Sequence, residues 1–311
     1  MLIDLHVHPP VAAQVPGGLR GAFLRLLTRD LGGEPLEARR RFLAWLEASA
    51  LDRAVLLALD GSYTPDGRPD PEGTVLRADN DAVATLAQAS PKALFGASIH
   101  PYRRDALAEL ERVLARGACL VKWIPSAQNI DPAHPACLPF YEALAQHRVP
   151  LLCHTGPEHT LRTSRDAFNH PLRLVPALRR GVTVIMAHCA ARLWIYESTG
   201  PFQAWRRLAR EFEHCYGDLG AFTVMTRHLT LDGLLKDPVL RDKLLFGSDF
   251  PAWTLPSQFL PRLGWRRYRA LAALSNPFDR ARETLRAFGV PEAVFSRAGT
   301  LLRGLPAGTR A

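Results

Sequence analysis

Eight short apolar runs recur along the 311-residue sequence, and their spacing limits the folds open to it more than any other feature. Each run is continuously apolar instead of alternating with polar residues, as is typical of parallel strands that are covered on both faces. From the third run onward, successive runs start about 25 to 33 residues apart, which leaves room for one strand and one helix. We predict strands over Leu2–Val7, Arg53–Leu59, Leu94–Ile99, Cys119–Ile124, Val149–Cys153, Val182–Ala187, His214–Asp218 and Leu244–Gly247.

The segments between these runs show helical periodicity. In three of them, apolar residues recur at helical spacing: Leu36, Leu43, Leu46 and Ala50, then Leu107, Leu110 and Leu114, then Leu138, Tyr141 and Leu144. Eight strand–helix units predict an α/β fold, a single-domain (β/α)8 TIM barrel over residues 1–300 with a C-terminal tail over 301–311. An open doubly wound sheet is the alternative, but no glycine-rich phosphate-binding sequence follows any of the strands.

Three connections are longer than a strand-to-helix loop requires, namely 9–34, 60–77 and 248–271. Each follows a strand, so in a barrel all three lie at the C-terminal face, where active sites of this fold are built. The second connection is rich in Gly, Pro and Asp, a composition that excludes helix and core strand. It is interpreted either as a solvent-exposed surface loop or as a lid over the pocket.

Composition excludes several classes of protein. The chain is 47% hydrophobic but has no apolar run long enough for a transmembrane helix. The first residues lack the basic and apolar segments of a signal peptide, so we expect a soluble, cytoplasmic protein. The five cysteines include no CxxC pair, which predicts reduced, buried thiols. The net charge of +9 comes mainly from scattered arginines, and this scatter argues against nucleic-acid binding.

The sequence His6-Val7-His8 at the end of the first predicted strand is the strongest chemical signal. Residues two apart in a strand point to the same face, so both imidazoles are expected to enter the barrel while Val7 packs outward. Asp4 shares that parity and is expected one layer below. Two neutral imidazoles that converge in a dry interior form half of a divalent metal site.

Polar side chains also follow the apolar runs of three other strands. His154 ends the fifth strand, His188 ends the sixth and Asp249 ends the eighth. A charge or an imidazole at such a position is costly unless it is paired or bound to a metal. Because the strand ends of a barrel meet at one rim, these residues and the two histidines of the first strand predict a metal site there.

Lys122 lies inside the fourth predicted strand, where an ammonium group without a partner is costly to bury. Three interpretations are open. In the first, its amine carries a carboxylate group, a carbamate, that bridges two metal ions. In the second it remains a cation that holds a substrate carboxylate or pairs with Asp249. In the third only its aliphatic stem is buried and the amine reaches the barrel mouth.

Together these residues resemble the pattern of the amidohydrolase superfamily. The agreement comprises His6-Val7-His8, Ile99-His100-Pro101, His154-Thr155-Gly156, His188 and Gly247-Ser248-Asp249-Phe250-Pro251. It spans residues 1–300 and is closest to the amidohydrolase 2 group of metal-dependent hydrolases, which also contains aminocarboxymuconate-semialdehyde decarboxylase and its relatives. One departure is Cys189-Ala190-Ala191, where glycine is expected in many relatives, and it leaves the shape of that loop open.

The resemblance implies a site with one zinc-like divalent ion rather than two. The ion and its water would be held by His6, His8, His154 and Asp249. His188 would lie beside that water as a base or an orienting group, and Asp249 would accept its proton and deliver it to the leaving group. A binuclear variant would use a carboxylated Lys122 as bridge, with His154 and His188 on the second ion.

The implied activity is hydrolysis of a small carbonyl compound such as a lactone, an amide or a cyclic ester, and the positive net charge favours an anionic one. The expected partners are a small-molecule substrate and, because such barrels are often dimers, a second copy of the chain, with no nucleic acid and no membrane. Three other functions stay open: non-oxidative decarboxylation of an unsaturated or aromatic acid, a TatD-like deoxyribonuclease, and a barrel that binds a metabolite without turnover. The TatD group is expected to have Glu at the fourth strand, where this chain has Lys122.

Other rim residues are weaker candidates. His100 either contacts the substrate or caps a turn. Four more residues either line a pocket for an acidic or aromatic ligand or serve in packing and at the surface: Trp123, Arg103, Arg192 and Trp253.

Overall fold

A barrel of eight parallel strands forms the centre of the computed structural model, which describes residues 1–11, 31, 34–161, 163, 165–252 and 254–305. Numbered in chain order, the strands are β1 Ile3–Val7, β2 Arg53–Leu57, β3 Ser62–Tyr63, β4 Pro69–Asp70, β5 Ala93–Ala97, β6 Ala118–Trp123, β7 Leu151–Cys153, β8 Val184–Met186, β9 Cys215–Asp218 and β10 Leu244–Leu245. Strands β1, β2 and β5 to β10 are neighbours in that order, and β3 pairs with β4 as a separate hairpin. The eight predicted strands and the TIM barrel are therefore confirmed.

The two ends of the sheet meet beside β1 and nearly close the barrel. Val7 forms a parallel bridge with Phe250, and the amide of His8 donates to the Phe250 carbonyl at 2.8 Å. The amide of Asp249 donates to the His6 carbonyl at 2.9 Å. This seam places the residues that follow β10 against the end of β1.

Helices flank the barrel. In chain order they are α1 Pro35–Ala48, α2 Asn80–Gln88, α3 Ala106–Ala115, α4 Pro125–Gln128, α5 Leu138–Gln146, α6 Val175–Leu178, α7 Gly200–Glu211, α8 Leu231–Lys236, α9 Pro238–Arg241, α10 Leu260–Ala272, α11 Pro277–Phe288 and α12 Glu292–Ser296. The three predicted helical segments correspond to α1, α3 and α5. Within the described ranges, no helix combines the length and the apolar character needed to cross a membrane.

The buried face of α1 includes only part of the predicted leucine pattern. Ala38, Phe42 and Leu46 are buried and pack with the outer faces of the strands, whereas Leu36 is 60% exposed. These three buried residues lie four apart along the helix, so they form the stripe that faces the barrel. The predicted helical spacing is confirmed in this segment, and of its leucines Leu46 belongs to the buried stripe, Leu43 packs at its border and Leu36 lies off it.

Apolar side chains form one cluster inside the barrel and a larger one between strands and helices. The inner cluster includes Ile3, Leu5, Val55, Leu57, Leu120, Leu152, Ile185, Leu245 and Leu302. Leu302 belongs to this cluster, and Leu301 and Leu305 pack against it, so the first part of the predicted tail contacts the barrel. Residues 306–311 lie outside the described ranges.

Strand β1 departs from regular alternation. Ile3 and Leu5 belong to the inner cluster, so strict alternation would turn His6 away from the interior. The pairing of β1 with β2 shifts register between Asp4 and Val7, and the His6 ring lies inside the barrel. The prediction that the rings of His6 and His8 turn to the same side while Val7 packs outward is confirmed, because their Nε2 atoms lie 3.2 Å apart and Val7 belongs to the outer cluster. The irregularity in β1 allows the inward Leu5 to be followed by the inward His6.

The long connections differ from one another. Segment 60–77 forms the β3–β4 hairpin, and its base is anchored because the amide of His100 and the guanidinium of Arg103 both donate to Asp60 Oδ2, at 2.9 and 3.1 Å. These contacts favour a surface loop anchored at its base over a mobile lid. Connection 248–271 is shorter than predicted, since α10 begins at Leu260. Connection 9–34 lies largely outside the described ranges.

Removing the Leu46 side chain tests the buried face of α1. We expect Leu46→Ala to lower the free energy of unfolding by about 2–5 kcal/mol, because it empties a packed position, and Leu36→Ala to change it by less than about 0.5 kcal/mol. Urea denaturation of both variants measures the difference. Equal effects would show that α1 is rotated on the barrel.

Thiol labelling tests the burial of the cysteines. All five are buried and free of disulfides, and burial raises the pKa of Cys119, Cys153 and Cys215 to about 12. We expect Ellman's reagent to leave the native protein unmodified over minutes and to titrate five thiols in guanidinium chloride. Rapid labelling of the native protein would reveal an accessible thiol.

Candidate metal centre

Three donor atoms converge at the C-terminal rim of the barrel. His6 Nε2 lies 3.2 Å from His8 Nε2 and 3.2 Å from Asp249 Oδ1, and His8 Nε2 lies 3.6 Å from the same oxygen. All three donor atoms lie within 4.8 Å of one another. His6 is buried, whereas the side chains of His8 and Asp249 are 29% and 19% exposed. The group therefore opens toward the barrel mouth on the side of His8 and Asp249.

Asp218, the last residue of β9, positions two of the histidines. Its Oδ2 accepts from His6 Nδ1 at 2.8 Å, and its Oδ1 accepts from the backbone amides of His188 and Gly220 at 2.8 and 2.9 Å. Because His6 donates from Nδ1, the neutral ring presents its lone pair at Nε2, where the donor group converges. Sequence reasoning missed Asp218, although this residue ends a predicted strand just as His154 does.

His188 lies beside His6. The two rings stack with their centroids 5.4 Å apart, and His188 Nδ1 donates to the carbonyl of Gly220 at 2.9 Å. The lone pair of the neutral ring is then on Nε2, which lies 4.0 Å from Asp249 Oδ2. His6, His188 and Asp218 form a second group whose donor atoms lie within 4.8 Å of one another.

The loop that contains His188 is strained. His188, Cys189 and Ala190 have φ of 61°, 51° and 53°, in the left-handed region that costs a residue with a Cβ atom about 1–2 kcal/mol. The bond from the His188 amide to Asp218 and the bond from the Ala191 amide to the His188 carbonyl hold this conformation. The loop thus adopts the left-handed conformation that glycine usually supplies, although it contains no glycine. This strained conformation sets the orientation of His188.

His154 lies next to His188 and outside both three-residue groups. Its Nδ1 is 3.3 Å from His188 Nε2, and its Nε2 faces Glu158 Oε2 at 3.4 Å. His154 thus lies at the same rim, beside His188, and its predicted role as the fourth ligand stays a prediction. Glu158 was also missed, and nothing in the sequence distinguishes it from other loop carboxylates.

Lys122 is buried inside the barrel, with Nζ 2.9 Å from His6 Nε2. The interpretation in which its amine reaches the barrel mouth is wrong, because the whole side chain is buried. Burial lowers the pKa of Lys122, whereas the negative charges of Asp249 and Asp218 raise it. The amine lies beside the donor group, so the carbamate and the cationic interpretations both stay predictions.

Burial also controls the protonation of the donor group. It lowers the pKa of His6, His8 and His188 well below 6.5 and that of His154 to about 4, so these rings are neutral at pH 7. Neutral imidazoles and a carboxylate are the donors that zinc and similar divalent ions take. The acceptors on Nδ1 of His6 and His188 direct the lone pair of each ring to Nε2, where an ion would compete with the Lys122 amine for His6. The residues present fit a divalent metal.

His100 is a turn cap. Its Nδ1 accepts from the amide of Tyr102 at 3.2 Å, its Nε2 donates to the carbonyl of Gln128 at 2.8 Å, and its ring is buried. Both ring nitrogens are occupied by the protein, which favours the turn cap over contact with the substrate.

The remaining rim candidates serve in packing and at the surface. Trp123 is buried against Phe140 and donates from Nε1 to the carbonyl of Ile99 at 2.8 Å. Arg103 forms ion pairs with Asp60 and Asp105, and Arg192 donates to the Ile195 carbonyl at 2.6 Å. Trp253 lies outside the described ranges.

Comparisons with known proteins agree with this fold. The family model described as Amidohydrolase matches residues 3–281. An uncharacterized TIM-barrel protein from Bordetella bronchiseptica is similar, with a TM-score of 0.62 at 18% identity over 96% of this chain and 99% of the other. A Pseudomonas putida protein provisionally assigned as a 2-pyrone-4,6-dicarboxylic acid hydrolase gives 0.57 at 17% identity over 97% and 94%. The 5-carboxyvanillate decarboxylase of Sphingomonas paucimobilis gives 0.51 at 13% identity over 95% of both chains. The search of curated proteins finds no match.

Replacing Asp218 tests the orientation of His6. In Asp218→Asn the amide oxygen can still accept from the backbone amides of His188 and Gly220. The NH2 group then faces His6 Nδ1, so the ring proton must move from Nδ1 to Nε2. We therefore expect zinc affinity to fall about 10–100-fold, as measured by competition with a chromophoric chelator, while the fold is retained.

The exposed Asp232→Asn is the matched control for Asp218→Asn, because Asp232 lies on the surface, where it forms an ion pair with Arg262. Its zinc affinity should equal that of the unmodified protein. Unchanged affinity in Asp218→Asn would mean that His6 is not held by this contact when it binds zinc.

Proposed function

This chain belongs to the amidohydrolase family, and on that premise we propose that it is a metal-dependent hydrolase that adds water to the carbonyl carbon of a small lactone, amide or cyclic ester. The observation that carries the proposal is the convergence of His6 Nε2, His8 Nε2 and Asp249 Oδ1 within 4.8 Å. Two neutral imidazoles and one carboxylate at an open rim match a catalytic site that leaves a coordination position for water.

These three residues would hold one divalent ion, with zinc as the favoured identity. When bound at such a site, the ion lowers the pKa of a coordinated water from about 15.7 to about 7 and supplies hydroxide at neutral pH. His154, which lies beside His188 with its Nε2 3.4 Å from Glu158 Oε2, would be the fourth ligand of the ion. Lys122 would hold a second ion if its amine carried a carbamate, and without that group it stays a cation next to His6.

Asp249 is the proposed proton carrier. Burial raises the pKa of its carboxyl group to about 7, while the positive charges of Lys122 and Arg227 limit that rise. A group whose pKa lies near the working pH can both accept and return a proton. In the proposed reaction Asp249 takes the proton of the attacking water and returns it to the leaving group.

His188 is the proposed partner of Asp249. Its Nε2 lies 4.0 Å from Asp249 Oδ2, and its Nδ1 is held by the Gly220 carbonyl, so the ring is fixed with its lone pair toward the site. From this position His188 orients the attacking water through a hydrogen bond to Nε2. A preorganised ring of this kind loses little free energy to reorientation during the reaction.

The fold neighbours suggest which substrates to try first. The Pseudomonas putida protein is named for a cyclic ester that carries two carboxylates, which agrees with the lactone class proposed here. The positive net charge of the chain also favours an anionic substrate.

Non-oxidative decarboxylation of an aromatic acid is the second candidate. One neighbour in fold is a decarboxylase of a carboxylated aromatic compound, and the same donor group would serve that reaction. In that case the pair formed by His188 and Asp249 would deliver a proton to carbon instead of taking one from water. The two reactions differ in product, because only decarboxylation releases carbon dioxide.

Turnover by the Asp249→Asn variant tests the proposal. With zinc-loaded protein and a panel of lactones that includes 2-pyrone-4,6-dicarboxylate, we expect ring opening, followed by ultraviolet absorbance, to fall at least about 100-fold in the variant because the proton carrier is lost. The exposed Asp242→Asn is the control and should retain full activity.

Carbon dioxide release is followed in parallel with 5-carboxyvanillate as substrate. Release without ring opening of any lactone would favour decarboxylation over hydrolysis. Equal hydrolysis by Asp249→Asn and the unmodified protein would refute the role of Asp249.

A further inference from the structure

Two buried glycines lie against His6 in the donor group. Gly220 follows β9 and Gly247 follows β10. Their φ angles lie outside the left-handed region, so the backbone conformation at these two positions does not itself require glycine. What distinguishes both positions is the space around their Cα atoms.

The space beside Gly220 is filled by two histidines and a carboxylate. A Cβ atom at this position would lie 2.9 Å from Asp218 Oδ1 and 3.1 Å from Nδ1 of both His6 and His188. These separations are shorter than van der Waals contact, so a ring or the carboxylate would have to move. The missing side chain of Gly220 thus allows both rings to lie against segment 218–220.

The backbone of Gly220 is bonded to the same groups. Its amide donates to Asp218 Oδ1 at 2.9 Å, and its carbonyl accepts from His188 Nδ1 at 2.9 Å. Asp218 Oδ2 in turn accepts from His6 Nδ1 at 2.8 Å. Because segment 218–220 holds both Nδ1–H groups, a displacement of Gly220 would disturb both rings at once.

Gly247 bounds His6 on another side. A Cβ atom at this position would lie 2.7 Å from the Cβ atom of His6 and 3.7 Å from Cγ of Asp218. Non-bonded carbon atoms pack at about 3.5–4.0 Å, so a side chain here would push His6 away. The nearest atoms to this Cβ position belong to His6 and Asp218 and not to His188. Of the two rings, Gly247 therefore limits the position of His6, whereas Gly220 limits both.

We propose that Gly220 and Gly247 are positioning residues that form a slot for His6, and that Gly220 also fixes His188 beside it. Leu5 and His6 both point inward, and the slot supplies the room that the second of these side chains needs. With Nδ1 of each ring held as a donor, the lone pair of each ring is on Nε2. The proposal rests on the proposed function in taking His6 as a metal ligand and His188 as the residue that orients water.

Dense packing without a role in the donor group is the rival explanation. Alanine at either position would then lower the stability of the barrel, but in the folded variants the histidine rings would keep their tautomers and the site its zinc affinity. The two explanations therefore differ in the ring protonation and zinc affinity of folded protein, which stability alone does not change.

Nitrogen-15 NMR of the histidine rings in the metal-free full chain distinguishes these explanations. In the unmodified protein we expect His6 and His188 to be protonated on Nδ1, and the Hα protons of Gly220 to show nuclear Overhauser effects to both rings. We expect Gly220→Ala to give both rings a mixture of tautomers, because their acceptors are displaced. Gly247→Ala should change the tautomer of His6 and leave that of His188 as it is. His100 is the internal reference, since its own turn holds both of its nitrogens.

Zinc affinity, measured by competition with a chromophoric chelator, is the second readout. We expect both variants to bind zinc about 10–100-fold more weakly, because His6 loses its orientation. The exposed Gly233→Ala is the matched control, since a Cβ atom at Gly233 would meet no atom outside its own helix within 4 Å. This control should keep the tautomers and the zinc affinity of the unmodified protein.

The proposal is overturned if a folded Gly220→Ala or Gly247→Ala variant binds zinc as tightly as the unmodified protein. A loss of affinity without a change at either ring would equally contradict it. If the variants fail to fold, the unmodified protein decides, because the absence of nuclear Overhauser effects between Gly220 and the rings refutes the slot. Failure of the hydrolase proposal looks different. Ring tautomers and zinc affinity would then still depend on Gly220, while no lactone is turned over in an Asp249-dependent manner.

Discussion

The hydrogen-bonded seam between β1 and the segment after β10 is the constraint on which the site depends. Through it, the carbonyl of His6 accepts from the amide of Asp249, and the amide of His8 donates to Phe250. Below it, Asp4 Oδ1 accepts from the amides of His6 and Ser248 at 3.2 and 2.9 Å. These bonds set the separation of side chains that are far apart in sequence. A barrel left open at this point would have the same residues but no common centre.

Burial then sets the protonation states of the histidines and of Asp249. Removing imidazoles from water disfavours their charged forms, which leaves lone pairs available at neutral pH, and acceptors on Nδ1 of His6 and His188 direct those lone pairs toward Nε2. The same burial raises the pKa of Asp249 to about 7, within the range of a proton carrier. The positive charges of Lys122 and Arg227 limit this rise in the pKa of Asp249.

Individual residues show which parts of the site the sequence predicts and which it does not. His6, His8, Asp249 and His188 were recognised because polar residues directly after apolar strands are costly, and the structure brings all four to one rim. Asp218 obeys the same rule and was overlooked because it was counted as part of its strand. Arg227 and Glu158 come from loops after β9 and β7, and among so many arginines and carboxylates no sequence pattern separates them. His100 matched the pattern too, yet both of its nitrogens are used by its own turn.

The sequence by itself determined the barrel, because apolar runs at the spacing of one strand and one helix can bury both faces of a parallel sheet in few other ways. It also determined that polar groups would meet at the C-terminal rim. Only the tertiary structure decided which of them share a centre. The register shift in β1 turned His6 inward against strict alternation, the left-handed loop set His188 beside His6, and His154 was placed between His188 and Glu158. Such outcomes depend on contacts between residues far apart in the chain, and no local pattern encodes those distances.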